Sequence, residues 1–142
     1  MKRLLLALAL SVGAMTLAGC PDSDVGKACV AGAPTATGGS SIINSQALEC
    51  NSRICFRPSS AAGGGTSEDL CTDFCSSSSD CNDGPKDGCK AGFACAVAVT
   101  VGPFCCKKMC ICKDYLSISD AGIVRPEACN PDKPENKCPN IR

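Results

Sequence analysis

Residues 71–112 read CTDFCSSSSDCNDGPKDGCKAGFACAVAVTVGPFCCKKMCIC, and nine of these positions are cysteine. The spacing is Cys71-x3-Cys75-x5-Cys81-x7-Cys89-x5-Cys95-x9-Cys105-Cys106-x3-Cys110-x-Cys112. No two of these cysteines are separated by two residues, the spacing that zinc ribbons and thioredoxin-like redox sites use. Working outward, Cys29, Cys50 and Cys55 precede the run, Cys129 and Cys138 follow it, and Cys20 stands apart near the start of the chain. With Cys20 set aside for the reason given below, fourteen cysteines remain: Cys29, Cys50, Cys55, Cys71, Cys75, Cys81, Cys89, Cys95, Cys105, Cys106, Cys110, Cys112, Cys129 and Cys138. An even number permits seven disulfides with no thiol left over, although fourteen positions allow very many pairings and the spacing does not choose among them.

Composition explains why bridges are needed. The chain has 142 residues, no histidine, no tryptophan, and 14 basic against 14 acidic side chains. Residues 20–142 hold only twenty Leu, Ile, Val and Phe, roughly 16%, below the ~20% that usually accompanies an independent core. Each disulfide stabilises by about 2–4 kcal/mol, largely by constraining the unfolded chain, which is the scale of what is missing. Absence of histidine excludes Ser-His-Asp and Cys-His catalysis, the HExxH zinc site and CxxCH haem attachment. Balanced charge argues against nucleic acid as a partner.

Local patterns give the expected elements. Ala94 to Val101 alternates, with Val97, Val99 and Val101 on one face and Ala96, Ala98 and Thr100 on the other. Gly102-Pro103 then turns the chain, so a β-hairpin is expected over 94–115, with the valine face in a small core. Thr66-Ser67-Glu68-Asp69 has a hydroxyl cap and early acids, and Leu70, Cys71, Phe74 and Cys75 follow at helical spacing, which predicts one short helix over 67–75. The fold class expected is therefore small and disulfide-rich, mostly irregular and β, with one hairpin and one short helix. Beyond Leu116, Pro126, Pro131, Pro134 and Pro139 leave Cys129 and Cys138 to pin an extended C-terminal wrap.

The domain expected is a single bridged unit over 29–142. Gly63-Gly64-Gly65 lies in a Gly/Ser-rich linker over 59–66, which would separate subdomains 29–58 and 67–142. The first piece has three cysteines, so at least one bridge must cross to the rest. Adjacent Cys105 and Cys106 are expected to reach two different partners, one on each side of a strand.

At the N-terminus, Met1-Lys2-Arg3 supplies a cationic start and Leu4 to Leu17 an apolar stretch too short to span a bilayer, together an export signal. The stretch ends in Leu17-Ala18-Gly19-Cys20, which resembles the lipobox of bacterial lipoproteins. That resemblance implies a signal peptide over 1–19 and a covalent lipid on Cys20, with 20–28 a polar tether. It also implies outer-membrane anchoring, because Pro21 rather than aspartate follows the cysteine, with inner-membrane retention the alternative. No other cofactor is expected, and the partners expected are the membrane, through the lipid, and other cell-envelope proteins. Lipobox, Gly/Ser/Ala-rich loops and abundant cysteine together resemble small cysteine-rich lipoproteins of myxobacteria, some of which act at the cell surface in contact-dependent adventurous gliding motility. The cysteine run also resembles, in density alone, the bridged whey-acidic and dickkopf-type modules, whose spacings it does not reproduce.

The functional expectation is a non-enzymatic surface scaffold or adhesion component. The alternatives are a rigid bridged inhibitor or ligand-binding module, and, further off, thiolate metal or redox chemistry at Cys105, Cys106, Cys110 and Cys112. Glu68, Asp69, Asp73, Asp80 and Asp83 are the acids an enzyme would draw on, and the chain has few large side chains to enclose them. Residues 80–88 are rich in acids, but Gly84 comes at the fifth position where an EF-hand loop needs glycine at the sixth, so a plain turn is expected.

Overall fold

The computed structural model describes residues 23–32, 41–59, 67–81, 84, 86–119, 122–132 and 138–140. Cys20, the signal peptide over 1–19 and nearly all of the linker over 59–66 lie outside the described residues. Seven short strands form three small antiparallel sheets, and among the described residues the only helical segments are 3-10 turns.

The first sheet contains β1 (Ile42–Asn44), β2 (Ile54–Arg57) and β3 (Leu70–Thr72) in that order. The second is a hairpin of β4 (Phe93–Val97) and β5 (Lys108–Cys112), with Phe93 opposite Cys112 and Val97 opposite Lys108. The third pairs β6 (Ile118–Ser119) with β7 (Gly122–Ile123).

The hairpin expected over 94–115 is present, but its alanine side is buried as well, and the valines, Val99 packed on the core among them, are buried only in part. Ala94 and Ala96 are buried against Met109 and Ile111, and these pack with Phe56 of the first sheet. Val97 is half-buried, β4 ends there, and Val101 is 75% exposed. Two sheets that approach closely around Phe56 and Met109 leave room for methyl groups, not for a row of valines. On the other face of the hairpin, Phe93, Cys110 and Cys112 pack with Val25, Leu70, Cys81 and Cys89. Both faces of this hairpin are therefore buried, which accounts for the near-continuous burial of β5 from Met109 to Cys112.

The helix expected over 67–75 does not form. Cys71 and Cys75 would lie on one helical face, whereas their partners sit in different layers, Cys50 beneath the first sheet and Cys95 on the hairpin. Extended backbone reaches both. Leu70 to Thr72 pairs with β2, and residues 73–75 continue along β5, where Cys110 N–H donates to Asp73 O and Cys75 N–H to Lys108 O. Intrinsic helix signals yield to these long-range pairings.

The tether expected over 20–28 is also shorter than its composition suggests. Gly26 N–H donates to Cys71 O, Cys71 N–H to Lys27 O, and Cys29 N–H to Asp69 O, so residues 26–29 run alongside β3. Val25 is buried in the core. Gly26 has φ +86°, and a Cβ there would stand 2.7 Å from Phe93 Cζ, so only glycine lets this segment lie on the Phe93 ring.

Candidate functional site

All fourteen cysteines other than Cys20 are paired at disulfide distance: Cys29–Cys55, Cys50–Cys71, Cys75–Cys95, Cys81–Cys110, Cys89–Cys112, Cys105–Cys138 and Cys106–Cys129. The four sulfurs that the sequence crowds into residues 105–112 are dispersed to four separate bridges. Cys105 and Cys106 do take different partners, but from a turn rather than a strand. Cys106 has φ +58°, which swings the two side chains apart.

Crowding arises elsewhere. Cys55 and Cys71 are cross-strand neighbours in the first sheet, so their bridges lie side by side, and the sulfurs of Cys29, Cys50 and Cys71 fall within 4.8 Å of one another. The sulfurs of Cys75, Cys81 and Cys95 form a second such group, and those of Cys89 and Cys112 lie equally close to a carboxylate oxygen of Asp114. A bridged sulfur has no thiolate to offer a metal ion. As paired here, these groups are stacked disulfides, each juxtaposing a bridge with a further sulfur or acid.

The acids singled out from sequence are spread over separate structural tasks. Asp69 forms an ion pair with Arg57, whose Nη2 donates to Asp69 Oδ2 at 2.6 Å, and it also accepts the Ala31 N–H at 2.8 Å. Burial pushes its carboxyl up, but the Arg57 hydrogen bond, the Ala31 N–H and the guanidinium charge together hold it below the usual range. Asp80 accepts the N–H groups of Ser77 and Ser76, which lower its pKa as they cap the turn before Cys81. Asp73 accepts the Phe74 N–H, Glu68 is exposed, and Asp83 lies outside the described residues. Most of the acidic turn over 80–88 is described only in part, with Asn82, Asp83 and Pro85 outside it.

Described residues line three concavities, one of about 310 Å³ beside Arg125, Glu127 and Asn130. Between the two larger sheets a space of about 10 Å³ is lined by Phe56, Leu70, Phe93, Ile111 and Tyr115, no more than a single water occupies. An open depression of about 670 Å³ lies beside the N-terminal segment, where Asp24, Glu68 and Asp87 alternate with Lys27 and Lys86. Both lysines are engaged, Lys27 Nζ donating to Glu49 O and Lys86 Nζ to Val25 O, so the depression stitches the chain start to the fold.

One surface feature was not legible from the sequence. Phe74, on the stretch beside β5, stacks on Phe104 of the hairpin loop with ring centroids 6.0 Å apart, and Lys107 Nζ stands 4.9 Å over one ring and 5.8 Å from the other. The two phenylalanines are thirty positions apart, and the pairing of residues 73–75 with β5, together with the Cys75–Cys95 bridge, brings them together. Comparison with known proteins finds no match to this chain among family models, curated proteins or solved structures.

Proposed function

We propose that this protein is a non-enzymatic, lipid-anchored scaffold of a bacterial outer membrane, whose bridged body presents a rigid surface for contact at the cell envelope. The single observation that carries the reading is the distance between the lipidation motif and the first packed residue. Leu17-Ala18-Gly19-Cys20 ends only five positions before Val25, which is buried in the core. Five residues reach at most about 17 Å. A lipid on Cys20 would therefore hold the folded body against the headgroups, with its orientation constrained by the pairing of residues 26–29 alongside β3. Two or three acyl chains at about 0.8 kcal/mol per buried methylene make such an anchor effectively permanent. The mature chain, with 12 basic against 14 acidic residues once Lys2 and Arg3 are removed, adds no polybasic assistance.

Support for a scaffold comes from how the chain spends its residues. Apolar side chains are few, seven bridges replace them, and Asp69 and Asp80 serve an ion pair and a turn cap. Such a body suits an adhesion or assembly role, including one in contact-dependent gliding. Intact mass of the membrane-extracted protein, alkylated with and without prior reduction, tests the proposal. It expects acyl mass on Cys20, no label before reduction and fourteen labels after it. An unacylated Cys20 overturns the anchor, and labelling of several thiols without reduction overturns the bridged scaffold in favour of thiolate chemistry.

A further inference from the structure

The chain holds four phenylalanines, and two of them, Phe56 and Phe93, are buried. Phe74 is 43% exposed and Phe104 is half-buried, stacked beside it at the outer end of the β4–β5 hairpin. Val101, three residues before Phe104, is 75% exposed, and Pro103 is exposed too. Leu48, Val30, Ile118, Ile123 and Val124 are also exposed; what sets Phe74, Val101 and Pro103 apart is that they stand together with a stacked aromatic pair and Lys107.

These residues sit on a rigid platform. Cys105 and Cys106 fasten the loop to Cys138 and Cys129, and Asn140 Nδ2 donates to the carbonyls of Pro103 at 3.1 Å and Cys105 at 3.0 Å. Lys107 is held over both rings and Lys108 next to it is exposed. Of the four lysines in residues 88–113, Lys107 and Lys108 stand at this end, while Lys90 and Lys113 flank the Phe93 end beside Asp114. Asp73, beside Phe74, has its carboxylate taken up by the Phe74 N–H. The opposite end of the hairpin is Phe93, on which Gly26 packs, so the loop carrying Val101, Pro103 and Phe104 lies beyond the far ends of the strands, whereas Phe74 is three residues from Cys71, whose carbonyl accepts the Gly26 N–H.

We propose that this tip, formed by Val101, Pro103, Phe104, Phe74, Lys107 and Lys108, is a docking surface for an anionic phospholipid bilayer. Aromatic rings and lysine stems settle at headgroup depth, the valine and proline enter the acyl boundary, and the ammonium groups meet the headgroup phosphates. With the anchor proposed above, on which only this last step rests, the tip is placed to meet a second bilayer, facing the membrane that holds Cys20.

The full lipidated chain, reconstituted into vesicles of neutral phosphatidylcholine, is mixed with protein-free vesicles carrying either neutral lipid or about 30% phosphatidylglycerol, and docking is read by energy transfer between labelled lipids. Docking is expected with the anionic vesicles, about fivefold weaker in Lys108→Gln and at least about tenfold weaker in Val101→Asp. Both side chains are exposed, so both variants should fold, which alkylation without reduction verifies. Equal docking to neutral and anionic vesicles, or undiminished docking by Val101→Asp, overturns the proposal. Docking only between two protein-bearing populations also overturns it, and assigns the tip to a second copy or another protein. If the chain proves unacylated, the anchor fails separately, and co-flotation of the soluble chain with the same anionic vesicles still reads the tip.

Discussion

Cys105–Cys138 and Cys106–Cys129 are nested, one bridge inside the other, and this has a measurable consequence. Their sequence separations are 33 and 23 residues. Closing such loops in an otherwise free chain stabilises by ~3.7 and ~3.4 kcal/mol in the chain-entropy description. While either bridge is intact, however, opening the other frees only the short ring made by the Cys105–Cys106 peptide and the stretch from Cys129 to Cys138, roughly ten residues. Each single loss, made as Cys105→Ser with Cys138→Ser or as Cys106→Ser with Cys129→Ser, should therefore cost ~2.7 kcal/mol. Removing both should cost ~6.2 kcal/mol, about 0.8 more than the two singles together, because the second opening now releases the whole loop. Local effects of serine at each site cancel in the cycle. Urea unfolding followed by far-ultraviolet circular dichroism under non-reducing conditions reads all four proteins. As a control, Cys75→Ser with Cys95→Ser encloses a stretch that does not overlap 105–138, and it should add to either loss within about 0.4 kcal/mol. Additivity of the nested pair to that same margin refutes the topological reasoning.

Three further outcomes follow from particular contacts. Because Asp69 is held below its ordinary pKa when folded, its contribution is complete above about pH 3.9 and is lost as pH falls through the depressed value; Asp69→Asn should flatten the acid limb of stability measured by urea titration between about pH 5 and 2, and an unchanged limb counts against the ion pair. Gly26→Ala combines a positive φ with a Cβ 2.7 Å from the buried Phe93 ring and should lose about 2–3 kcal/mol, whereas Gly88→Ala, whose Cβ meets the movable Glu68 carboxylate, should lose about 1; equal losses in thermal unfolding contradict this difference. An added dithiol should open the half-exposed Cys75–Cys95 bridge first, taking up the disulfide itself, and a freed thiolate within 4.8 Å of Cys81 then attacks that sulfur and releases Cys110 as a thiol. Mass mapping at about pH 8 should find Cys110 labelled while the remaining bridges are closed, and labelling of Cys110 only after global unfolding removes the relay.

What could be read from the sequence and what could not differ by the range of the forces involved. The need for bridges follows from composition, and the hairpin from alternation around Gly102-Pro103, because both are local or summed quantities. How deeply each face of the hairpin is buried depends on what stands opposite. Valine is the better strand residue and the larger hydrophobe, yet the facing residues are Phe56, Met109 and Ile111, and with these in place alanine is what fits. The Ser67-Glu68-Asp69 start is a genuine helix signal that the fold redirects: Asp69 is taken by Arg57 and Ala31, and Cys71 by Cys50. A cap worth about 1 kcal/mol does not compete with a disulfide and a strand pairing together.

The pairing pattern was silent in the spacing for a similar reason, since a cysteine's position along the chain says nothing of which layer its strand enters. Once the strands are placed, the pattern has an internal logic. Cys110 and Cys112 lie on the same face of β5, with Met109 and Ile111 on the other, so both must seek partners in the cluster that contains Cys81 and Cys89. Cys55 and Cys71 face the opposite layer from Phe56 and Leu70, so both turn toward Cys29 and Cys50. Cys105 and Cys106, beyond the end of both strands, belong to neither layer and hold the C-terminal segment instead. That division leaves the hairpin tip stapled from outside, and among the described residues no apolar layer covers it, so Phe104 and Phe74 stand stacked at the surface without weakening the core beneath.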